Sequence, residues 1–118
     1  MGYRSEVYSC IYGDADEITA LMTKDKLCNA DVFTHFANDI KVDDYREGEK
    51  IIILELEYYK WYPDYEEVKA WNNFIDEADV RGLEWEFVAI GEDDKVERSQ
   101  SNGSVGLISI SFSASINY

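Results

Sequence analysis

The stretch from Lys50 to Trp61, KIIILELEYYKW, commits the chain to a β-sheet. Its alternation puts Ile52, Leu54, Leu56 and Tyr58 on one face and Ile53, Glu55, Glu57 and Tyr59 on the other, so one side reads as core and the other as wet. Leu83 to Ile90, LEWEFVAI, repeats the pattern, with Leu83, Trp85, Phe87 and Ala89 set against Glu84, Glu86, Val88 and Ile90. The question these segments pose is why core strands carry carboxylates on their second face.

The remaining elements follow from local signals. Tyr3 to Tyr12 reads as a first strand ending at Gly13. Asp14 stands three residues before Glu17, a capping pattern, and Ile18, Leu21, Met22 and Leu27 follow at helical spacing. A restart through Val32, Phe33, Phe36, Ala37 and Ile40 has Asp31 available as its cap. A short charged arm at Ile40 to Tyr45 turns through Glu47 and Gly48 into the long strand. Pro63 and the acids Asp64, Glu66 and Glu67 mark the start of a second helix with the stripe Val68, Trp71, Ile75 and Ala78, ending before Gly82. Gly91 to Gly103 is polar and turn-rich. The last segment, VGLISISFSASI, reads as one strand with Ile108, Ile110, Phe112 and Ile116 opposite a row of serines, and no charged side chain occurs from Ser104 onward. Such a strand must be paired inside the sheet or against a second copy.

Strand, helix, strand, strand, helix, strand predicts an α+β domain spanning residues 1–118: a ferredoxin-like antiparallel sheet with two main helices on one face and an extra C-terminal strand. The rival is a sheet without the arm at 40–45. In either case the sheet's second face is left bare.

Charge then narrows the function. The 118 residues carry 11 basic and 25 acidic side chains, a formal net charge of -14, on a chain that is 46% hydrophobic and 14% aromatic. That composition belongs to a folded body, and its charge repels nucleic acid and anionic membranes while attracting basic surfaces. No basic segment followed by an apolar run opens the chain, and no stretch approaches the roughly 18 apolar residues of a membrane span, so a soluble, cytoplasmic protein is expected. Cys10 and Cys28 lack metal or redox spacing and read as free thiols. His35, in VFTHF, is the only histidine, and no nucleophile elbow, phosphate loop or metal-spaced cluster accompanies it. GEDDKVE lacks the alternation and glycine of a calcium loop. No enzyme, cofactor or metal is expected.

On the wet face the alternation places Glu55, Glu57, Glu84 and Glu86, joined by Glu6, with Asp93 and Asp94 following in sequence. Carboxylates two apart on a strand lie about 6.6 to 6.8 Å from each other, the length scale of phosphates along a nucleic-acid backbone. The plain reading is solubility, since an open sheet is polar on its wet side. The sharper one is a nucleic-acid-like surface for a basic groove, with Tyr59 and Trp61, from the aromatic cluster Tyr58 to Tyr65, as contact anchors.

MGYRSEV at the start, KWYPDYEEVKAW in the middle and VAIGEDD after the next strand resemble a family of small acidic proteins of phages, prophages and bacterial genomes. The resemblance implies a phage or mobile-element setting, where small acidic proteins block host defence nucleases or nucleic-acid-guided complexes. It supplies no active-site residues. The function expected is therefore a non-enzymatic, anti-restriction-like or anti-CRISPR-like inhibitor of a basic nucleic-acid-binding host protein, acting through Glu55, Glu57, Tyr59, Trp61, Glu84, Glu86, Asp93 and Asp94. The alternative is a structural protein that dimerises through its uncharged last strand.

Overall fold

The computed structural model describes residues 5–27, 32, 36, 38–62, 64–91, 96–102, 108–110 and 114–116. Strands β1 (Ser5–Asp14), β2 (Ile40–Asp44), β3 (Glu49–Tyr59), β4 (Glu84–Gly91) and β5 (Val96–Ser101) form one antiparallel sheet in the order β2-β3-β1-β4-β5. Helices α1 (Ala15–Leu27) and α2 (Glu66–Val80) pack on it, giving the α+β class. Strands β6 (Ile108–Ile110) and β7 (Ala114–Ile116) form a separate two-stranded hairpin.

Each helix carries its own punctuation. The Asp14 carboxylate accepts the N–H groups of Asp16 and Glu17 at 3.1 and 3.2 Å, capping α1 as the sequence indicates. Glu17 itself turns to Arg81, 3.7 Å away. The helix α2 starts at Glu66 with Tyr65 as its N-cap, later than the proline-led start expected, and Pro63 lies outside the described residues. At its other end Gly82 adopts φ +78°, Gly82 N–H bonds Asp79 O, and Leu83 N–H bonds Ala78 O at 3.0 Å. This left-handed closure satisfies the last carbonyls and turns the chain directly into β4. Gly13 faces that corner, and a Cβ on it would stand 2.7 Å from the Leu83 side chain.

The helix-side core joins Val7 and Ile11 of β1, Ile52, Leu54 and Leu56 of β3, and Phe87 and Ala89 of β4 to Ile18 and Leu21 of α1 and to Trp71, Phe74, Ile75 and Ala78 of α2. Val32 and Phe36 complete it; Phe36 N–H bonds Val32 O at 2.9 Å, one helical turn. The rest of the expected restart, including Asp31, Phe33 and Ala37, lies outside the described residues, as do His35 and Cys28. A buried polar relay crosses this core: Trp71 Nε1–H donates to Ser9 Oγ at 3.1 Å, and the Ser9 hydroxyl donates to Glu86 O at 2.8 Å.

Three expectations are corrected. The segment after Gly91 contains β5, which pairs with β4 from Glu86 to Ile90, so the strand added to the sheet is Val96–Ser101. Asn102 prolongs that edge with its side chain, accepting Trp85 N–H at 2.7 Å and donating to Leu83 O at 3.0 Å and to Asp79 at 2.6 Å. The last segment is not one strand: it folds back with Ile108 opposite Ile116 and Ile110 opposite Ala114, and Phe112 lies outside the described residues. Third, the second sheet face is not bare. Its Tyr8, Cys10, Tyr12, Val88 and Ile90 are buried, and β7 contacts β1 while β6 contacts β4. With the helices on the first face, the hairpin covers the second.

Trp61 tests the polar relay by contrast. It packs on Phe36 and Phe87 with ring centroids 6.0 and 5.6 Å away, and its buried Nε1 has no acceptor among the described residues. Trp71→Phe and Trp61→Phe remove similar volumes, but only the first breaks a buried hydrogen bond. Urea denaturation is expected to show Trp71→Phe the more destabilising by about 1 kcal/mol; equal losses would mean the relay contributes nothing.

Candidate functional site

The second face is laid out by register in four rows running across β3, β1 and β4. Ile51, Tyr12 and Glu84 form one row, Ile53, Cys10 and Glu86 the next, and Glu55, Tyr8 and Val88 the third; Glu6 beside Ile90 begins the fourth, with Glu57 alongside on β3. Within this grid Tyr8, Cys10, Tyr12, Ile51, Ile53, Val88 and Ile90 are all buried. Ile53, expected on a wet surface, is therefore core of a second layer.

The carboxylates separate into two diagonal groups. At one corner Glu55 and Glu57 are exposed and Glu6 half-buried, gathered around the Tyr8 phenol, which donates to Glu6 Oε2 at 3.4 Å. Burial, and then the charges of Glu6, Glu57 and Glu55, push this phenol up to about 12, because ionising it would add a fourth negative charge. None of these three glutamates makes an ion pair with a described cation.

At the other corner Glu84 is half-buried and Glu86 only 5% exposed. Glu86 is a correction: it accepts the Tyr12 hydroxyl at 2.7 Å beneath the covered face and offers no surface to a partner. A buried carboxylate persists only where hydrogen bonds compensate the lost water, and Tyr12 supplies one. Burial, then the hydrogen bond and charge of Glu86, raise the Tyr12 phenol well above the ordinary tyrosine range. Cys10, register partner of Glu86, has its thiol raised by burial and next by the Glu86 charge, which leaves it a protonated core residue.

Tyr59 and Trp61 belong to the opposite side. Pairing of β1 with β3 runs Val7 with Leu56 but Ser5 with Tyr59, so β3 holds one extra residue between them. This bulge reverses the alternation, and Tyr59 joins the helix-side core, 6.1 Å from Phe36, instead of sharing a face with Glu55 and Glu57. Its phenol, pushed up to about 12 by burial first and then by a hydrogen bond with Glu67, has Asp39 as a further negative neighbour. Asp93 and Asp94 lie outside the described residues.

Of the eight residues expected to form one plate, Glu55 and Glu57 stand together, with Glu6. The sequence reading missed Asp39 and Glu67. Asp39 is brought in by its carbonyl, which accepts Glu55 N–H at 3.3 Å at the edge of the sheet. Near the end of β3 acids thus stand on both faces: Glu6, Glu55 and Glu57, an acidic rim around Tyr8 on the second face, and Glu67 and Asp39 beside Tyr59 on the helix side. The hairpin of β2 with β3 was legible in the sequence, but the bulge that turns Tyr59 toward Glu67 and Asp39 has no sequence signature. Among the described residues no group of three or more His, Cys, Asp or Glu is arranged to hold a metal ion, and no helix is long and apolar enough to cross a membrane. No protein-family profile, no curated protein and no solved structure matches the chain.

Tyr8 and Tyr59, two of the three raised tyrosines, set a pH dependence. The neutral phenols favour the fold, so their contribution is complete below about pH 10, the unfolded tyrosine value, and is lost as pH rises through about 12. Stability followed by urea denaturation is expected to fall between pH 10 and 12, and Tyr8→Phe to flatten the decline. An unchanged slope in Tyr8→Phe would show that neither burial nor the glutamates raise this phenol in the fold.

Proposed function

We propose that this chain is a non-enzymatic binding protein whose acidic rim occupies a Lys/Arg-rich site that otherwise holds nucleic acid. The observation that supports this most is the grouping of Glu6, Glu55 and Glu57 around Tyr8, unpaired by any described cation, on a chain of net charge -14. Like charges gathered without counter-charges cost stability, and an oppositely charged partner relieves that cost. The rim is narrower than the plate read from sequence: Glu86 contributes nothing at the surface, and Tyr59 backs the rim from the core side. The resemblance of MGYRSEV, KWYPDYEEVKAW and VAIGEDD to small acidic phage proteins suggests the target class, a nucleic-acid-binding protein of host defence, encountered in the host cytoplasm.

For the architecture we infer a ferredoxin-like arrangement of β1, α1, β2, β3, α2 and β4, to which β5 and the hairpin are additions. The element order and the all-antiparallel pairing support it.

The test compares charge reversals matched in number. Glu55→Lys with Glu57→Lys alters the rim, while Asp16→Lys with Asp76→Lys alters exposed positions on the two helices. In pull-downs from host lysate at low salt, the first pair is expected to reduce recovery of a basic nucleic-acid-binding protein at least tenfold. The second pair should leave it within twofold, and added DNA should compete. Equal losses from both pairs would reduce the acids to a solubility role.

A further inference from the structure

We propose that the outer edge of β2 is a self-association surface, where two copies of this chain pair antiparallel about Val42 and join their sheets into one. In the order β2-β3-β1-β4-β5 no described strand lies beyond β2. The β2–β3 ladder is bounded by Glu55 N–H on Asp39 O at one end and Tyr45 N–H on Glu49 O at the other. Antiparallel bonding alternates along a strand, so the odd-numbered residues of β2 direct their main-chain groups to β3 and the even-numbered ones turn theirs outward. Of these outward groups, Ile40 N–H is held by Phe36 O at 3.0 Å and Asp44 N–H by the adjacent Asp43 carboxylate at 2.9 Å. Val42 N–H and C=O face outward at the centre of the edge, and the Val42 side chain is 38% exposed although its register partner Ile52 is fully buried.

The order of side chains says which strand fits. Pairing about a two-fold axis at Val42 sets residue 41 of each copy against residue 43 of the other, so Lys41 meets an aspartate on both sides of the axis. Within one chain these two side chains stand on the second face beside Ile53 and Ile51, 61% and 44% exposed, with 3.6 Å between Nζ and Oδ2. Self-pairing adds two cross-strand contacts of the same kind. It also makes the two Val42 residues a doubly hydrogen-bonded pair and lets Asp44 N–H exchange the Asp43 carboxylate for Ile40 O of the second copy. A foreign strand without this charge order meets a lysine and two aspartates with no opposites, which is how exposed edges are normally protected. The pairing uses none of Glu6, Glu55 and Glu57 and does not depend on the proposed function.

Sedimentation velocity of the full chain over a range of protein concentrations tests this. The salt is set at about 0.15 M, which screens the repulsion between two bodies of net charge -14 beyond about 8 Å and leaves adjacent side chains coupled. A concentration-dependent dimer is expected. Lys41→Asp should weaken it about tenfold, and adding Asp43→Lys to that variant should restore it. Lys69→Asp, at an exposed position of α2, makes the same change in net charge as Lys41→Asp and should stay within about twofold of the parent. Val42→Pro removes an N–H that β3 does not use, so it should abolish the dimer and leave the far-UV circular dichroism unchanged; if that variant unfolds, the charge exchange decides alone. A chain monomeric at every concentration, equal losses from Lys41→Asp and Lys69→Asp, no recovery in the exchanged pair, or a dimer that survives Val42→Pro would overturn the proposal.

Discussion

Strand β1 is enclosed in every direction, and the rest of the molecule is arranged to make that possible. Its edges are bonded to β3 and β4, its odd-numbered residues Val7, Ser9 and Ile11 meet the helices, and its even-numbered residues Tyr8, Cys10 and Tyr12 meet a second layer. A strand buried on both faces must satisfy its polar side chains internally. Ser9 does so by linking Trp71 to the Glu86 backbone, and Tyr12 by donating to the Glu86 carboxylate. Glu86 is thus engaged through its main chain from one side of the sheet and through its side chain from the other, and it joins the two layers that β1 separates.

This enclosure decides where charge can go. With the centre of the second face sealed, carboxylates are confined to its corners and to the end of β3, where Glu55 and Glu57 reach solvent. On this face the carboxylates are consequently grouped at the corners and not spread over a plate. Concentration raises the local potential while shrinking the area that a partner meets, favouring steering over contact area.

The local elements were legible because their signals are short-range. Asp14 at the start of α1, Gly82 at the end of α2 and the two alternating strands all follow from side-chain chemistry within a few residues. What misled was the assumption that alternation continues unbroken and that acids on a strand face solvent. The bulge after Leu56 moved Tyr59 to the other side, and Glu86 lies under a layer formed by residues more than twenty positions later in the chain. VERSQS carries one apolar residue among six and gave no strand signal, because its pairing comes from β4 and not from its own propensity. Charge-free VGLISISFSASI read as one strand to be paired inside the sheet or with a second copy, whereas Ile108–Ile110 and Ala114–Ile116 pair with each other.

The bulge in β3 has a consequence for how such a chain tolerates changes in length. One surplus residue lets a single continuous strand serve two environments in succession, glutamates toward water up to Glu57 and an aromatic toward the interior at Tyr59. A deletion at this point would remove the surplus residue and leave Leu56 and the tyrosine two apart, both still facing inward, whereas a deletion between Ile51 and Leu56 would turn the side chains on one side of it to the opposite face. In this molecule the irregular position is the point of β3 at which one residue can be lost without reversing the faces on either side of it.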